Sequence, residues 1–415
     1  MFGRVEGVSL RKFMPPKKGG GKTAGEPDPR ADPETFLKQY KQFCKVTNIS
    51  PWEQIEAAFS DDDEANPGGW KKEFVIFPKD PHDLDEPRLG PGGCRALCTS
   101  ILGTQSGLTD PLEKGKPWPQ WENGAGKVLA GGAKSPPNFM VTPFIDVKSM
   151  RIWWSRIGDD GAAAIAELLR LGGAEVAISF LELWDNEIGP SGCLALGKSL
   201  AIGWNRSLLN LKLDYNTRIG SDGVAALCRG LRTNLTLRQL HLPYCKIDER
   251  GAAALADMLS ADKRNPNDGS PAGLTFLNLQ GNRLGDQGLQ NLSRGLALNK
   301  ALVKLNLADN MIGTNPDDLA AVKEFADALM VTGPVLEDVS LNYNHLAVPA
   351  VTDILTECLK PKDRSDPEGI KRGQNPRIKK FEVDTDLPGE VYDLLNFTIS
   401  GKGGKKGKKA GKKKK

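Results

Sequence analysis

The stretch LTFLNLQGNRLGDQGLQNLSRGL, residues 274–296, decides the fold. Leu277 and Leu279 alternate with polar residues, the pattern of a short strand with one buried face. Asn282, Leu284, Gly285 and Gly288 follow, and Leu292 and Leu296 continue at helical spacing. Written as LxxLxLxxNxIGxxG, this template recurs along the chain. It fits Leu181, Leu183, Asn186, Ile188, Gly189 and Gly192, then Leu211, Leu213, Asn216, Ile219 and Gly223, then Leu240, Leu242, Cys245, Ile247 and Gly251. Further copies begin at Leu305 and Val339, and a weaker one at Met150 precedes the rest. The anchors 150, 181, 211, 240, 277, 305 and 339 lie 31, 30, 29, 37, 28 and 34 residues apart. The period is about 29, with insertions in the longer steps.

Each part of the template has a physical task. The Asn amide can hydrogen-bond backbone groups where the chain leaves the strand, satisfying polar groups that stacking would bury. Glycine admits the tight turn into a helix. One strand and one helix cannot bury a core alone, whereas stacked units can. Working outward, FVIF (74–77) and LGPGGCRALCTSIL (89–102) read as an earlier strand and helix, and Ile378, Phe381, Val383 and Asp386 as a last strand. PGEVYDLLNF after it reads as a closing helix. Ahead of the array, residues 33–49 are helical in pattern, and Ser50 with Pro51 predicts the start of a second short helix.

Segments such as LELWDNEIGPSGCLALGKSL (181–200) and 274–296 resemble the ribonuclease-inhibitor class of leucine-rich repeats, over residues 144–360. The resemblance implies an α/β leucine-rich-repeat solenoid, a horseshoe with strands on the concave side and helices on the convex side. The expected organisation is a disordered basic segment (1–32), a short helical region (33–60), the array (74–398) and a disordered lysine tail (401–415). Insertions are expected at 103–143, 261–272 and 361–377. Met14, heading MPPKKGGGK, reads as a translation start, which would make 1–13 an extension.

Composition narrows the function. Hydrophobic residues make up 39% and charged residues 26% of 415, so a large core can be buried. No apolar run approaches a membrane-spanning length, and the amino terminus lacks the pattern of a secretory signal. Seven scattered cysteines without CxxC spacing fit reduced thiols in a cytosolic protein, not a zinc site or a disulfide framework. Cys94 and Cys98 read as buried small residues. Three histidines leave little material for metal or triad chemistry, so no catalytic, cofactor-binding or metal-ligating residue is assigned and no enzyme is expected. GGGKT (19–23) lacks the phosphate-loop glycine, because Pro16 stands at that position. The sequons at Asn205, Asn234 and Asn291 read as incidental.

Charge is asymmetric. Lys402, Lys405, Lys406, Lys408, Lys409, Lys412, Lys413, Lys414 and Lys415 stand in a tail without acids, and removing these nine turns the net +4 into −5. The tail suits a polyanionic surface such as tubulin or an anionic membrane face. No aromatic residue interleaves the lysines, so specific nucleic-acid binding is not expected.

The outward strand positions carry the rest of the signal. Arg151, Glu182, Lys212, His241, Asn278, Asn306 and Ser340 follow the anchors, and alternating charge there suits a paired ladder. Just beyond them stand Trp153, Trp154, Trp184, Tyr215 and Tyr244, from four consecutive repeats, whereas later repeats carry Gln280, Gly281, Ala308 and Asp309. Large aromatics on adjacent outward positions point to a protein-binding concave face. The competing expectation is that the 103–143 insertion folds back over them. Repeat proteins of this class with short helical amino-terminal regions resemble components of ciliary and flagellar axonemes. That resemblance implies a non-enzymatic, cytoplasmic interaction scaffold. A GTPase-activating protein of the Ran-activator type shares the repeat class and is the alternative, although those proteins end in acidic tails.

Overall fold

Phe74, Met150, Leu181, Leu211, Leu240, Leu277, Leu305, Val339 and Phe381 form one continuous buried column. They come from parallel strands β1 (Glu73–Ile76), β4 (Ser149–Ile152), β5 (Phe180–Glu182), β6 (Asn210–Lys212), β7 (Gln239–His241), β8 (Phe276–Asn278), β9 (Lys304–Asn306), β10 (Asp338–Ser340) and β11 (Lys380–Glu382). In this computed structural model the described residues are 29–60, 69–103, 122–123, 127–128, 143–172, 175–315, 319–330, 335–355, 378–384, 389 and 397–398. Among them, consecutive repeats pair with their anchors in register, and β12 (Phe397–Thr398) closes the sheet antiparallel to β11.

Every strand from β1 to β9, apart from the separate pair β2 (Glu122–Asn123) and β3 (Lys127–Val128), is followed by a helix. These are α3 (Gly90–Leu102), α4 (Gly158–Gly172), α5 (Pro190–Leu200), α6 (Gly220–Leu231), α7 (Glu249–Ser260), α8 (Gly285–Leu298) and α9 (Ala320–Met330), each packed on its neighbours. Their apolar faces (Leu227 and Leu231, Leu255 and Leu259, Leu292 and Leu296) meet the inward leucines of the strands in a single core. Fully burying each such side chain contributes about 2 kcal/mol. The fold is an α/β leucine-rich-repeat solenoid.

The Asn positions perform their task from one repeat to the next. Asn216 donates through Nδ2 to the carbonyls of Leu183 (2.7 Å) and Leu213 (2.9 Å), and its Oδ1 accepts from the amides of Asn186 (2.9 Å) and Ile188 (3.1 Å). Asn282 and Asn344 repeat the arrangement, and Cys245 replaces the donor with a thiol aimed at Leu213 O, 3.2 Å away.

At the amino-terminal end, α1 (Pro33–Thr47) and α2 (Glu53–Ala57) cover the first repeat. Phe36 lies 5.6 Å from Phe74 and 4.9 Å from Phe144, and Phe59 stacks on Trp70 at 4.4 Å. The second helix begins at Glu53, not at Ser50 as the sequence predicts. The cause is tertiary: Trp52 N donates to the buried Tyr40 hydroxyl at 3.0 Å and stays extended. The closing helix expected over 388–397 falls outside the described residues except at Gly389 and Phe397, and Phe397 lies in strand β12. Most of 103–143, all of 361–377, residues 1–28 and the lysine tail also lie outside the described residues. Residues 261–272 form a turn closed by an antiparallel bridge between Arg264 and Pro271.

Candidate functional site

The strand-centre column on the concave face is an ion-paired row. Glu182, 9% exposed, lies between Arg151 (3.8 Å) and Lys212 (3.5 Å), and Arg151 also meets Glu73 at 3.9 Å. Phe180 sits under both cations, 5.0 Å from the Arg151 guanidinium and 5.4 Å from Lys212 Nζ. His241 turns its ring edge to Phe276. Burial and the Lys212 charge push the imidazole down to about 4, so it is neutral at physiological pH.

The aromatic residues stand at the carboxyl ends of these strands and form one ladder. Phe77 stacks on Trp153 (6.0 Å between centroids), which meets Trp184 (6.5 Å), then Tyr215 (5.5 Å) and Tyr244 (4.6 Å) follow. Trp154 joins from the side, 5.1 Å from Trp184. All five sequence-selected residues are therefore in one continuous group. Phe77 is an addition the sequence reasoning missed, although FVIF matches the template and sets it in the Trp153 column.

Backbone geometry holds the ladder at its spacing. The parallel hydrogen bonds continue past the strands: Trp154 N donates to Trp184 O (3.0 Å), Tyr215 N to Pro243 O (2.9 Å) and Tyr244 N to Gln280 O (2.9 Å). Trp154, Tyr215 and Tyr244 have φ of 49°, 62° and 55°. That left-handed conformation is unfavourable for bulky side chains and persists only where the surroundings fix it. Gly281 occupies the next such position, with φ of 69°, and a Cβ there would lie 2.2 Å from Tyr244 Cε1. The ladder ends because the Tyr244 ring covers this glycine.

The rings are not sealed off among the described residues: Tyr215 is 39% exposed, Phe77 38%, and Trp153, Trp154, Trp184 and Tyr244 are half-buried. Tyr343, 73% exposed, stands apart from the ladder. Polar atoms beside the rings are unsatisfied. Trp153 Nε1, Asp214 Oδ1 and His241 Nε2 are buried with no hydrogen-bond partner among the described residues, a state that native proteins seldom leave unanswered. Burial pushes the Asp214 carboxyl up to about 6, and burial with the nearby Glu187 charge raises Asp185. Cys94 and Cys98 are buried in α3, and among the described residues no His, Cys, Asp and Glu group is placed to hold a metal. No described helix is long and apolar enough to cross a membrane.

The sequons at Asn205 and Asn234 are buried structural positions: Asn205 Nδ2 donates to Leu169 O (3.1 Å), and its Oδ1 accepts from Leu208 N (2.9 Å). Asn234 repeats this with Leu200 O and Leu237 N, and Asn299 with Leu259 O and Leu302 N. The available signal was an asparagine six residues before each anchor, at 205, 234 and 299. The phosphate-loop-like GGGKT and the nine tail lysines lie outside the described residues.

A family model described as a leucine-rich repeat matches residues 205–228, 233–256 and 274–293. Among solved structures, leiomodin-1 actin-binding site 2 is similar at 20% identity with a TM-score of 0.31, over 40% of this chain and 87% of that one. The tropomodulin C-terminal domain from Caenorhabditis elegans is similar at 12% identity with a TM-score of 0.30, over 45% and 89%. No curated protein matches the chain. The matched repeats coincide with three adjacent strand–helix units of the sheet, so those units are leucine-rich repeats.

Proposed function

We propose that this chain is a non-enzymatic scaffold that seats a protein partner on its concave face, at the ladder from Phe77 to Tyr244. The observation that carries the reading is the ladder itself: six neighbouring aromatic rings, half-buried or exposed, at the rim of a rigid parallel sheet. Tryptophan and tyrosine bring large contact areas at modest entropy cost and dominate interface energetics. The ribonuclease-inhibitor type of repeat remains part of the proposal, supported by the period of about 29 and a helix in nearly every unit. So does a place in a cytosolic, ciliary or axonemal assembly. The lysine tail suits tubulin or another polyanionic surface there.

Affinity capture of the tagged chain from its native cells tests the reading. Recovery of axonemal proteins and tubulin, reduced when Trp184 and Tyr215 are replaced by alanine, is the expected result. Recovery of a small GTPase whose hydrolysis the chain accelerates more than about a hundredfold would establish the Ran-activator alternative instead.

A further inference from the structure

We propose that Asp185 and Asp214, either side of the Trp184–Tyr215 stack, seat a basic side chain, an arginine or lysine, presented by the protein partner. The proposal rests on the reading of the concave face as the partner surface, and it names the chemistry that face selects. Trp184 and Asp214 occupy equivalent positions after β5 and β6, and Asp185 and Tyr215 occupy the next pair. The rings stack diagonally across this square, 5.5 Å apart and 29° from parallel, and the two aspartates take the other two corners.

These two carboxylates are short of counter-charge. Among the described residues neither has a cation within ion-pair distance, and Asp214 Oδ1 is buried without a hydrogen bond. The neighbouring cations are committed elsewhere. Arg151 lies between Glu73 and Glu182, Lys212 lies on Glu182 and over Phe180, and Arg156 meets Glu187 at 3.6 Å. The raised carboxyl of half-buried Asp214 is the electrostatic consequence, since desolvation costs it and the Lys212 charge offsets that only in part; Asp185 is exposed, and partial desolvation with the Glu187 charge raises it. The ring faces are turned toward one another, so the stack offers its edges as an apolar floor. The methylene stem of a long basic side chain suits that floor, with its charged head between the carboxylates. A guanidinium, with several donors in one plane, matches two separated carboxylates better than an ammonium does.

Fluorescein-labelled hexapeptides of alternating arginine and glycine, with glutamine and glutamate counterparts, titrated by anisotropy into the full-length chain, test this directly. The arginine peptide should bind at least tenfold more tightly than the glutamine peptide, with the glutamate peptide weakest. Asp185→Asn with Asp214→Asn should abolish that preference without lowering the melting temperature. The equal charge change Asp257→Asn with Glu324→Gln, on the helix side, should preserve it. Equal binding of arginine and glutamine peptides, or a preference that survives the Asp185–Asp214 pair substitution, overturns the proposal. Binding that appears only after the nine tail lysines are changed to glutamine overturns the partner as occupant, because the tail then holds the seat. Partner capture lost on Tyr215→Ala but indifferent to the aspartate pair would leave the concave face as the interface and remove only the basic side chain.

Discussion

Asp214 and His241, on adjacent repeats, pull stability in opposite directions with pH. Burial lifts Asp214 from 3.8 to about 6, so the folded chain binds a proton more readily than the unfolded chain. Its contribution to stability therefore grows as pH falls through 6 toward 4. His241 drops from 6.5 to about 4, so below 6.5 the unfolded chain takes up the proton first and stability is lost. The two effects offset each other in the parent. Asp214→Asn removes the first alone, so the variant should lose about 1 kcal/mol more stability than the parent between pH 7 and pH 5. Urea unfolding at the two pH values measures the difference, and equal losses would contradict the assigned burial of the carboxylate. None of this is legible in the sequence. Asp214 occupies the same template position as Trp184 and Pro243, and only the neighbouring strands decide that it is half-buried with an unpartnered Oδ1. The glycosylation-like asparagines show the same limit, since an Asn-x-Ser/Thr triplet does not reveal that its amide donates to the helix of the previous repeat.

At the scale of elements, the strands were the most legible part. A two-residue alternation with a fixed anchor admits one register, and Met150, Leu181, Leu211, Leu240 and Leu277 pair in that register. Helix boundaries were less legible where tertiary contacts overrode local signals, as at Trp52 and Tyr40. Helix–helix spacing is set by small residues that a strand-centred template ignores. A Cβ at Gly230 of α6 would lie 1.8 Å from Gly197 O of α5, and one at Gly295 of α8 would lie 2.6 Å from the Ala256 backbone. Helix propensity alone predicts that Gly230→Ala stabilises by about 1 kcal/mol. Because the clash is with backbone, we predict the reverse, a destabilisation of about 2 kcal/mol or more as α6 is forced away from α5. Chemical denaturation decides between the two signs, and a stabilised variant would show that the helices separate at no cost.

For the whole molecule, repetition made the architecture readable, because each unit buries its core only against the next. The ladder was partly readable for the same reason: template columns bring Trp153, Trp184, Tyr215 and Tyr244 onto neighbouring strands. The diagonal crossing, the entry of Phe77 and the full stop at Gly281 depend on side-chain and backbone geometry that the template does not encode. In the proposed function the nine lysines of the tail supply a separate, salt-sensitive attachment. Cosedimentation with microtubules should therefore fall steeply with salt for the full chain and be weak for a chain ending at Ser400, and equal binding by both would remove the tail from the mechanism. The central claim, that the ladder is the partner surface, is tested most directly by titrating the captured partner against three single variants. Trp184→Ala and Tyr215→Ala should each weaken binding by about 2 kcal/mol, roughly thirtyfold, whereas Tyr343→Ala, at an exposed ring outside the ladder, should leave it unchanged. Equal affinities for all three variants and the parent would contradict the account.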